Sequence, residues 1–227
     1  MELQKQETSD GSVTFYHPGY QETYHSRTGA RTEAVKKFVE PLGLGTWNQQ
    51  NLSVMDFCFG FGYNTAALLD AVFRSSIAMV RIDAYEIDMT PLRMIPTHKA
   101  PFSSYPLLGK LCQRWLDGED PVMVKYDHLM IYLHFKIGDG PTLLRATKQQ
   151  YDIVLFDPFS PKKQPMLWTQ EVFQLLYDHM HPGGILTTYS CAGAVRRAMK
   201  HVGFSVLDGP VVGRRAPSTI AKKPKEE

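Results

Sequence analysis

From Ser53 onward the chain alternates between short apolar runs and stretches with helical spacing. Ser53–Phe59 is an apolar run of strand length, the pattern of a strand buried on both faces. Asn64–Arg74 brings Leu68, Leu69, Val72 and Phe73 to packing positions of a helix. Met79–Ile87 predicts a second strand. Val122–Tyr126 and Met130–Ile137 predict a hairpin across Asp127-His128, and Ile153–Phe156 a short buried strand. Thr169–His179 predicts a helix, which Pro182-Gly183-Gly184 turns into the strand Ile185–Tyr189. Ala194–His201 predicts a helix ending at Gly203, with strands at Phe204–Leu207 and Ser218–Ala221 after it.

Two segments stand apart. Residues 1–51 are polar and turn-rich, with one helix-like stretch at Thr32–Glu40, and are expected to form an extension that packs on the core. Residues 91–120 hold prolines around the helical patch Leu107–Leu116, and an insertion at about 91–130 is expected as a small cap. The rest, residues 52–227, alternates strands and helices, which predicts an α/β domain with a parallel sheet. Ligands of such sheets bind outside the carboxyl ends of the strands, so the residues just past each strand carry the candidate chemistry.

Composition narrows the class. Of 227 residues, 43% are hydrophobic and 21% charged, enough apolar surface for a core. The net charge of +2 excludes a histone-like polycation but not a local basic face. The apolar stretch Leu52–Phe73 is broken by Asp56, Asn64 and Asp70 and is too polar to span a bilayer. Met1–Gly11 lacks the apolar region of a leader. Cys58, Cys112 and Cys191 are far apart and, like the histidines, show no metal spacing, so neither a disulfide framework nor a metal is expected. A cytoplasmic protein is the expectation.

The first strand runs into Asp56-Phe57-Cys58-Phe59-Gly60-Phe61-Gly62-Tyr63-Asn64. Gly60 and Gly62 permit a tight turn and a close approach of ligand to backbone, and the helix that follows offers free N–H groups. A third glycine is missing, which disfavours a pyrophosphate. The second strand ends at Glu86, near the offset at which an acid meets a ribose diol. The third ends at Gly138-Asp139-Gly140, where Asp139 is placed to accept from an exocyclic amine or simply to make an Asp-Gly turn. The fourth ends at Asp157-Pro158-Phe159, an acid beside a ring in a proline-stiffened loop.

Acids near four successive strand ends, after a glycine turn, resemble the class I S-adenosylmethionine-dependent methyltransferases, a Rossmann-like fold. More specific strings are Asp157-Pro158-Phe159-Ser160-Pro161-x-Lys163-x-Pro165-x-x-Trp168-Thr169 and Thr188-Tyr189-Ser190-x-Ala192-Gly193-x-Val195-Arg196-Arg197. Glu22-x-Tyr24-His25-Ser26-x-x-Gly29-Ala30-x-x-Glu33-Ala34 and Gly213-Arg214-Arg215 complete them. Together they resemble the methyltransferase domain of the MnmC family, which acts in tRNA 5-methylaminomethyl-2-thiouridine biosynthesis. The chain departs from that family's pattern at Cys58, where a glycine is usual, at Pro158, where a small residue is common, and at Met166, where an acid is usual. Met166 is expected to bear on the acceptor side.

The resemblance implies S-adenosylmethionine as cofactor, with Asp56, Gly60, Gly62, Asn64, Glu86, Asp139 and Asp157 around it. It implies methylation of the aminomethyl group of a wobble uridine in the tRNA anticodon loop, with Asp157 and Tyr24 catalytic and Phe159 against the base. With no flavin oxidase domain in these residues, a separate upstream enzyme is expected to supply the amine. Residues Cys191–Glu227 carry a net charge of +5 against −3 for the remainder. Lys162, Lys163, Arg196, Arg197, Arg214 and Arg215 are therefore the candidate phosphate contacts. Two other readings stay open: an aminopropyltransferase resembling spermidine synthases, and a non-catalytic methyltransferase-like RNA-binding module. Neither DNA nor a membrane is expected as partner.

Overall fold

The computed structural model describes every residue except Met1, Arg214, Glu226 and Glu227. The chain begins with a small antiparallel sheet of β1 (Gln4–Glu7), β2 (Val13–His17) and β3 (Glu22–Thr23). Sequence patterning does not foresee it, because the strands are short and polar on their outer face. Helix α1 (Ala30–Glu33) runs on as a π-helical turn, Ala34–Val39, where a plain helix over Thr32–Glu40 is expected. Pro41 then denies the next turn a donor, and Gly43, at φ 63°, stops it.

The main sheet is built from β4 (Asn51–Phe57), β5 (Met79–Glu86), β6 (Val122–Tyr126), β7 (Leu129–Ile137), β8 (Tyr151–Phe156), β9 (Met180–Thr188), β10 (Ser205–Asp208) and β11 (Thr219–Lys222). Its order is β10-β11-β9-β8-β4-β5-β7-β6. The central five, β9 to β7, are parallel. The edges are not: β6 returns antiparallel on β7, and β11 and β10 antiparallel beyond β9. The expected parallel sheet is thus mixed, since a tight hairpin can only join antiparallel neighbours. Successive strands run outward from β4 on one side and from β8 on the other, so the crevice opens between those two.

Helices cover both faces. Phe38, Leu68 of α2 (Tyr63–Val72) and Leu108 of α4 (Tyr105–Leu116) are buried on one side. Leu144 of α5 (Gly140–Arg145), Phe173 of α6 (Gln170–Asp178) and Met199 of α7 (Gly193–His201) are buried on the other. The segment expected as a cap carries α3 (Met89–Met94) and α4. Their Leu92, Leu108 and Leu111 are buried in the same core as α2. No helix among the described residues is long and apolar enough to cross a membrane.

Candidate active site

The carboxyl ends of β4, β5, β7 and β8 meet in a cleft of three adjoining cavities. The first, about 220 Å³, lies among Glu86, Ile87, Gly138, Asp139, Gln164 and Met166. The second, about 300 Å³, joins it through Tyr20, Cys58, Glu86 and Gln164, and reaches Asp157 and Phe159. The third, about 220 Å³, shares Glu22, Tyr24, Asp157 and Tyr189 with the second, and ends at Glu33, Lys37 and Gly213.

The loop after β4 turns through left-handed backbone at Cys58 (φ 67°), Gly60 (φ 53°) and Gly62 (φ 69°). For Cys58 this conformation costs about 1–2 kcal/mol that a glycine would not incur. A Cβ on Gly60 would press on the Tyr24 ring at 3.2 Å. Glu86 holds this loop: its Oε2 accepts the Gly60 N–H at 2.8 Å, and its Oε1 those of Ile87 and Asp88 at 2.7 and 2.9 Å. Burial nonetheless pushes the Glu86 carboxyl above its usual range.

Asp157 lies half-buried where the second and third cavities join. Its Oδ2 accepts from Asn64 Nδ2 at 2.8 Å. Burial raises its pKa well above 3.8, and the neighbouring Glu33 adds to that. Tyr24 borders both cavities, and burial keeps its phenol protonated, so its hydroxyl donates and is no base.

Other expected site residues fall elsewhere. Asp56 is buried beneath the loop, accepts from Thr65 Oγ1 at 2.7 Å and borders none of the three cavities. Asn64 reaches the site only through Asp157. Gly62 caps α2 with its α-carbon facing Phe59 and Leu108, away from the cleft. Asp139 accepts from Thr142 through Oδ2 alone, capping α5, and is otherwise exposed beside the first cavity. Met166, expected to bear on the acceptor side, lines the first cavity and not the third. Phe159 has Tyr20 stacked on one face, centroids 4.4 Å apart, so that face is already covered.

The basic candidates divide. Arg196 is committed to the fold, donating to Thr219 Oγ1, Asp208 Oδ1 and the Ser218 carbonyl, and is not a free phosphate contact. Lys163 Nζ donates to Gln21 Oε1 at 3.2 Å. Lys162, Arg197 and Arg215 are exposed, and Arg214 lies outside the described residues.

Sequence reasoning overlooks Lys37, Gln164, Tyr20 and His17. A lysine on the apolar face of Ala30, Ala34 and Phe38 was the available signal for the first.

The family of S-adenosyl-L-methionine-dependent methyltransferases matches residues 106–224, just over half of the chain. The chain belongs to that family. An uncharacterized protein of Methanocaldococcus jannaschii is 30% identical to this methyltransferase over 217 residues, 96% of this chain and 58% of that one. The tRNA 5-methylaminomethyl-2-thiouridine biosynthesis bifunctional protein MnmC of Ralstonia nicotianae is 30% identical over 219 residues, 90% of this chain and 32% of that one. This methyltransferase therefore spans little more than half of one such relative and about a third of the other. Among solved structures, MNMC2 of Aquifex aeolicus superposes with a TM-score of 0.79 at 27% identity, covering 100% of this chain and 73% of that one. It is thus a methyltransferase domain of MnmC type. Spermidine synthase of Thermotoga maritima, at 15% identity and a TM-score of 0.54, shares the fold.

The cofactor is S-adenosyl-L-methionine, and the cleft suits it. Gln164 Oε1 is buried without a partner among the described residues and lines the first two cavities, an acceptor matched to a nucleoside donor. Ile87 and Met166, 58% and 64% exposed, are large apolar side chains on the wall of the first cavity, where an adenine ring would cover them.

Proposed function

We propose that this methyltransferase modifies the exocyclic amine of 5-aminomethyl(-2-thio)uridine at the wobble position of tRNA, giving 5-methylaminomethyl(-2-thio)uridine. The observation that carries the reading is the third cavity. Three carboxylates, Glu22, Glu33 and Asp157, border it against one lysine, which suits an acceptor that arrives as an ammonium ion. Its rim includes Gly213, two residues before the exposed Arg215, in the part of the chain with the basic excess. RNA of an anticodon loop offers a base that can be splayed out, with phosphates alongside for such arginines. The MnmC relatives support tRNA as the partner.

In this reading Glu86, Asp139 and Gln164 hold the nucleoside of the cofactor, and the Gly60 loop lies under its remainder. Bound there, S-adenosylmethionine supplies an activated methyl group. The protein then needs to align the acceptor nitrogen and keep it neutral. Asp157 draws the ammonium in, which gives one proton to water before transfer, and then takes up the proton that the methylated nitrogen carries in excess, a contribution typically worth about 10²–10⁴-fold. Tyr24 donates a hydrogen bond to the acceptor uracil, and Phe159 packs against that ring once Tyr20 yields its face. The amine must arrive free and primary, supplied by a preceding modification enzyme. A carboxymethylaminomethyl group brings an anion that the three carboxylates repel.

The test is incubation of the purified protein with S-adenosylmethionine and tRNA bearing either side chain, followed by mass spectrometry of the digested tRNA. The aminomethyl form gains one methyl group, and the carboxymethyl form is inert. Transfer to putrescine from the decarboxylated cofactor would favour an aminopropyltransferase. Binding of tRNA without transfer would favour a non-catalytic module.

A further inference from the structure

The third cavity contains an ion pair to which the transfer described above assigns no step of its own. Lys37 and Glu33 are 3% and 7% exposed, and Lys37 Nζ donates to Glu33 Oε1 at 2.5 Å. Glu33 Oε2 accepts from the Ser26 N–H at 2.8 Å. Burying an ion pair costs several kcal/mol per ion in desolvation, and apolar residues would serve packing as well or better. Its position is also particular. Glu33 closes α1 and Lys37 lies in the π-helical turn, which is tied to the sheet where Thr187 Oγ1 donates to the Phe38 carbonyl at 3.1 Å. Single π-turns in helices frequent functional sites. Across the same cavity stands Asp157, whose Oδ1 has no hydrogen-bond partner among the described residues.

We propose that the Glu33–Lys37 ion pair sets Asp157 as the proton acceptor of the transfer, which makes Glu33 and Lys37 positioning residues for the reaction. The proposal rests on the aminomethyluridine reading. The nitrogen that has gained a methyl group carries one proton in excess. That N–H bond breaks, its electron pair stays on nitrogen, and the proton passes to Asp157 Oδ1, which becomes a carboxylic acid and later returns the proton to water. Burial first, and then the like charge of Glu33, favour the protonated acid, while Lys37 opposes them more weakly. Glu33 thus makes Asp157 a willing acceptor, and Lys37, which donates to Glu33 Oε1, holds that carboxylate in place beside the cavity.

Other charged and titratable groups face Asp157 as well. Asp56 and Cys58 do so from β4 and its loop, Glu86 and Asp88 from beyond β5, and Tyr189 from beyond β9. His17, Tyr20, Glu22, Tyr24 and His25 face it from the N-terminal segment. All of them remain when the pair alone is changed.

NMR of protein carrying isotope-labelled aspartate carboxyls, with the Asp157 signal assigned by its loss in Asp157→Asn, titrates the group directly. The parent midpoint is expected highest. Glu33→Gln should give the lowest, because it removes the anion and leaves Lys37 unpaired. The double variant Glu33→Gln with Lys37→Met should fall between, and since it buries no lone charge it serves even where the single variant does not fold. Equal midpoints in parent and double variant would overturn the proposal. The acid limb of kcat on aminomethyluridine tRNA should move in the same order, with calorimetric affinity for S-adenosylmethionine unchanged. Shifted midpoints without methylation of that tRNA would support the hold of the pair on Asp157 and refute the substrate reading. Methylation with one common acid limb would refute the role of the pair and keep the substrate.

Discussion

Glu86 accepts the backbone N–H of Gly60 at 2.8 Å, across 26 positions of sequence. The acid after one strand therefore shapes the turn after its neighbour, besides facing the first two cavities. Glu86→Ala would strand the N–H groups of Gly60, Ile87 and Asp88 together. Affinity for S-adenosylmethionine is expected to fall by about 1–3 kcal/mol, the usual cost of leaving buried polar groups unpaired. Calorimetry that finds the affinity unchanged would remove Glu86 from the cofactor site.

Asp157→Asn preserves shape and the contact with Asn64 but cannot take up a proton. A loss of about 10²–10⁴-fold in kcat is expected, with cofactor affinity retained. Equal losses in turnover and cofactor binding would place Asp157 on the cofactor instead.

Asp56 gives a pH signature. It is fully buried, and burial lifts its pKa from 3.8 to about 7. The folded chain holds this proton more tightly than the unfolded one. Its contribution to stability is present in full below the ordinary value of 3.8 and is lost as the pH rises through about 7. At about 1.36 kcal/mol per unit, the loss is on the order of 4 kcal/mol. Asp56→Asn cannot ionise, so urea midpoints of parent and variant should diverge between about pH 4 and about pH 7, the parent losing more. Parallel midpoints would mean that Asp56 is hydrated.

Cys58 holds a left-handed conformation that glycine adopts freely. Cys58→Gly should stabilise the fold by about 1 kcal/mol, after the added backbone entropy of glycine is set against the relieved strain. Cys58→Val, β-branched at the same position, should destabilise it. Thermal melts in which the valine variant equals the glycine variant would contradict the strain.

The basic residues should separate into two kinds. Arg197→Ala with Arg215→Ala should weaken tRNA binding and flatten its log–log salt dependence by about 0.7–0.9 for each phosphate that is no longer neutralised. Arg196→Ala should lower thermal stability, because it leaves the acceptors on Asp208, Ser218 and Thr219 unmatched, and should leave the salt slope as in the parent. A flattened slope in Arg196→Ala alone would return that residue to the RNA surface.

The central strands β4, β5 and β8 were legible because burial leaves them mostly apolar over strand length, with few polar interruptions. The acids beyond them were legible because a parallel sheet fixes where ligands bind. What was hidden depends on contacts far apart in sequence. Nothing local distinguishes Arg196, braced against Asp208, from its exposed neighbour Arg197. Asp56 and Glu86 are both acids beside β4 or β5, yet one points under the loop and the other into it. The first sheet escaped notice because a strand as short and polar as β3 carries no periodicity to read. Lys37 is the exception: its partner Glu33 is four residues away and its apolar face was readable, but the π-turn that aims it into the cavity was not.

The N-terminal segment grips the far rim of the cleft: Glu22 accepts from the Ser160 hydroxyl at 2.8 Å and from its N–H at 3.1 Å, 138 positions along the chain. Tyr20 and Tyr24 ride on the same segment, over the ring of Phe159. A ribosome delivers Glu22 long before Ser160, since chains emerge at about 5–20 residues per second. Until β8 and its loop are out, the early segment has no purchase there, and the second cavity has no roof. Closing that contact late, over so long a loop, is slow compared with local pairing. The nascent enzyme thus acquires its fold progressively, but the wall that joins Glu22 to Ser160 only after β8 and its loop have emerged.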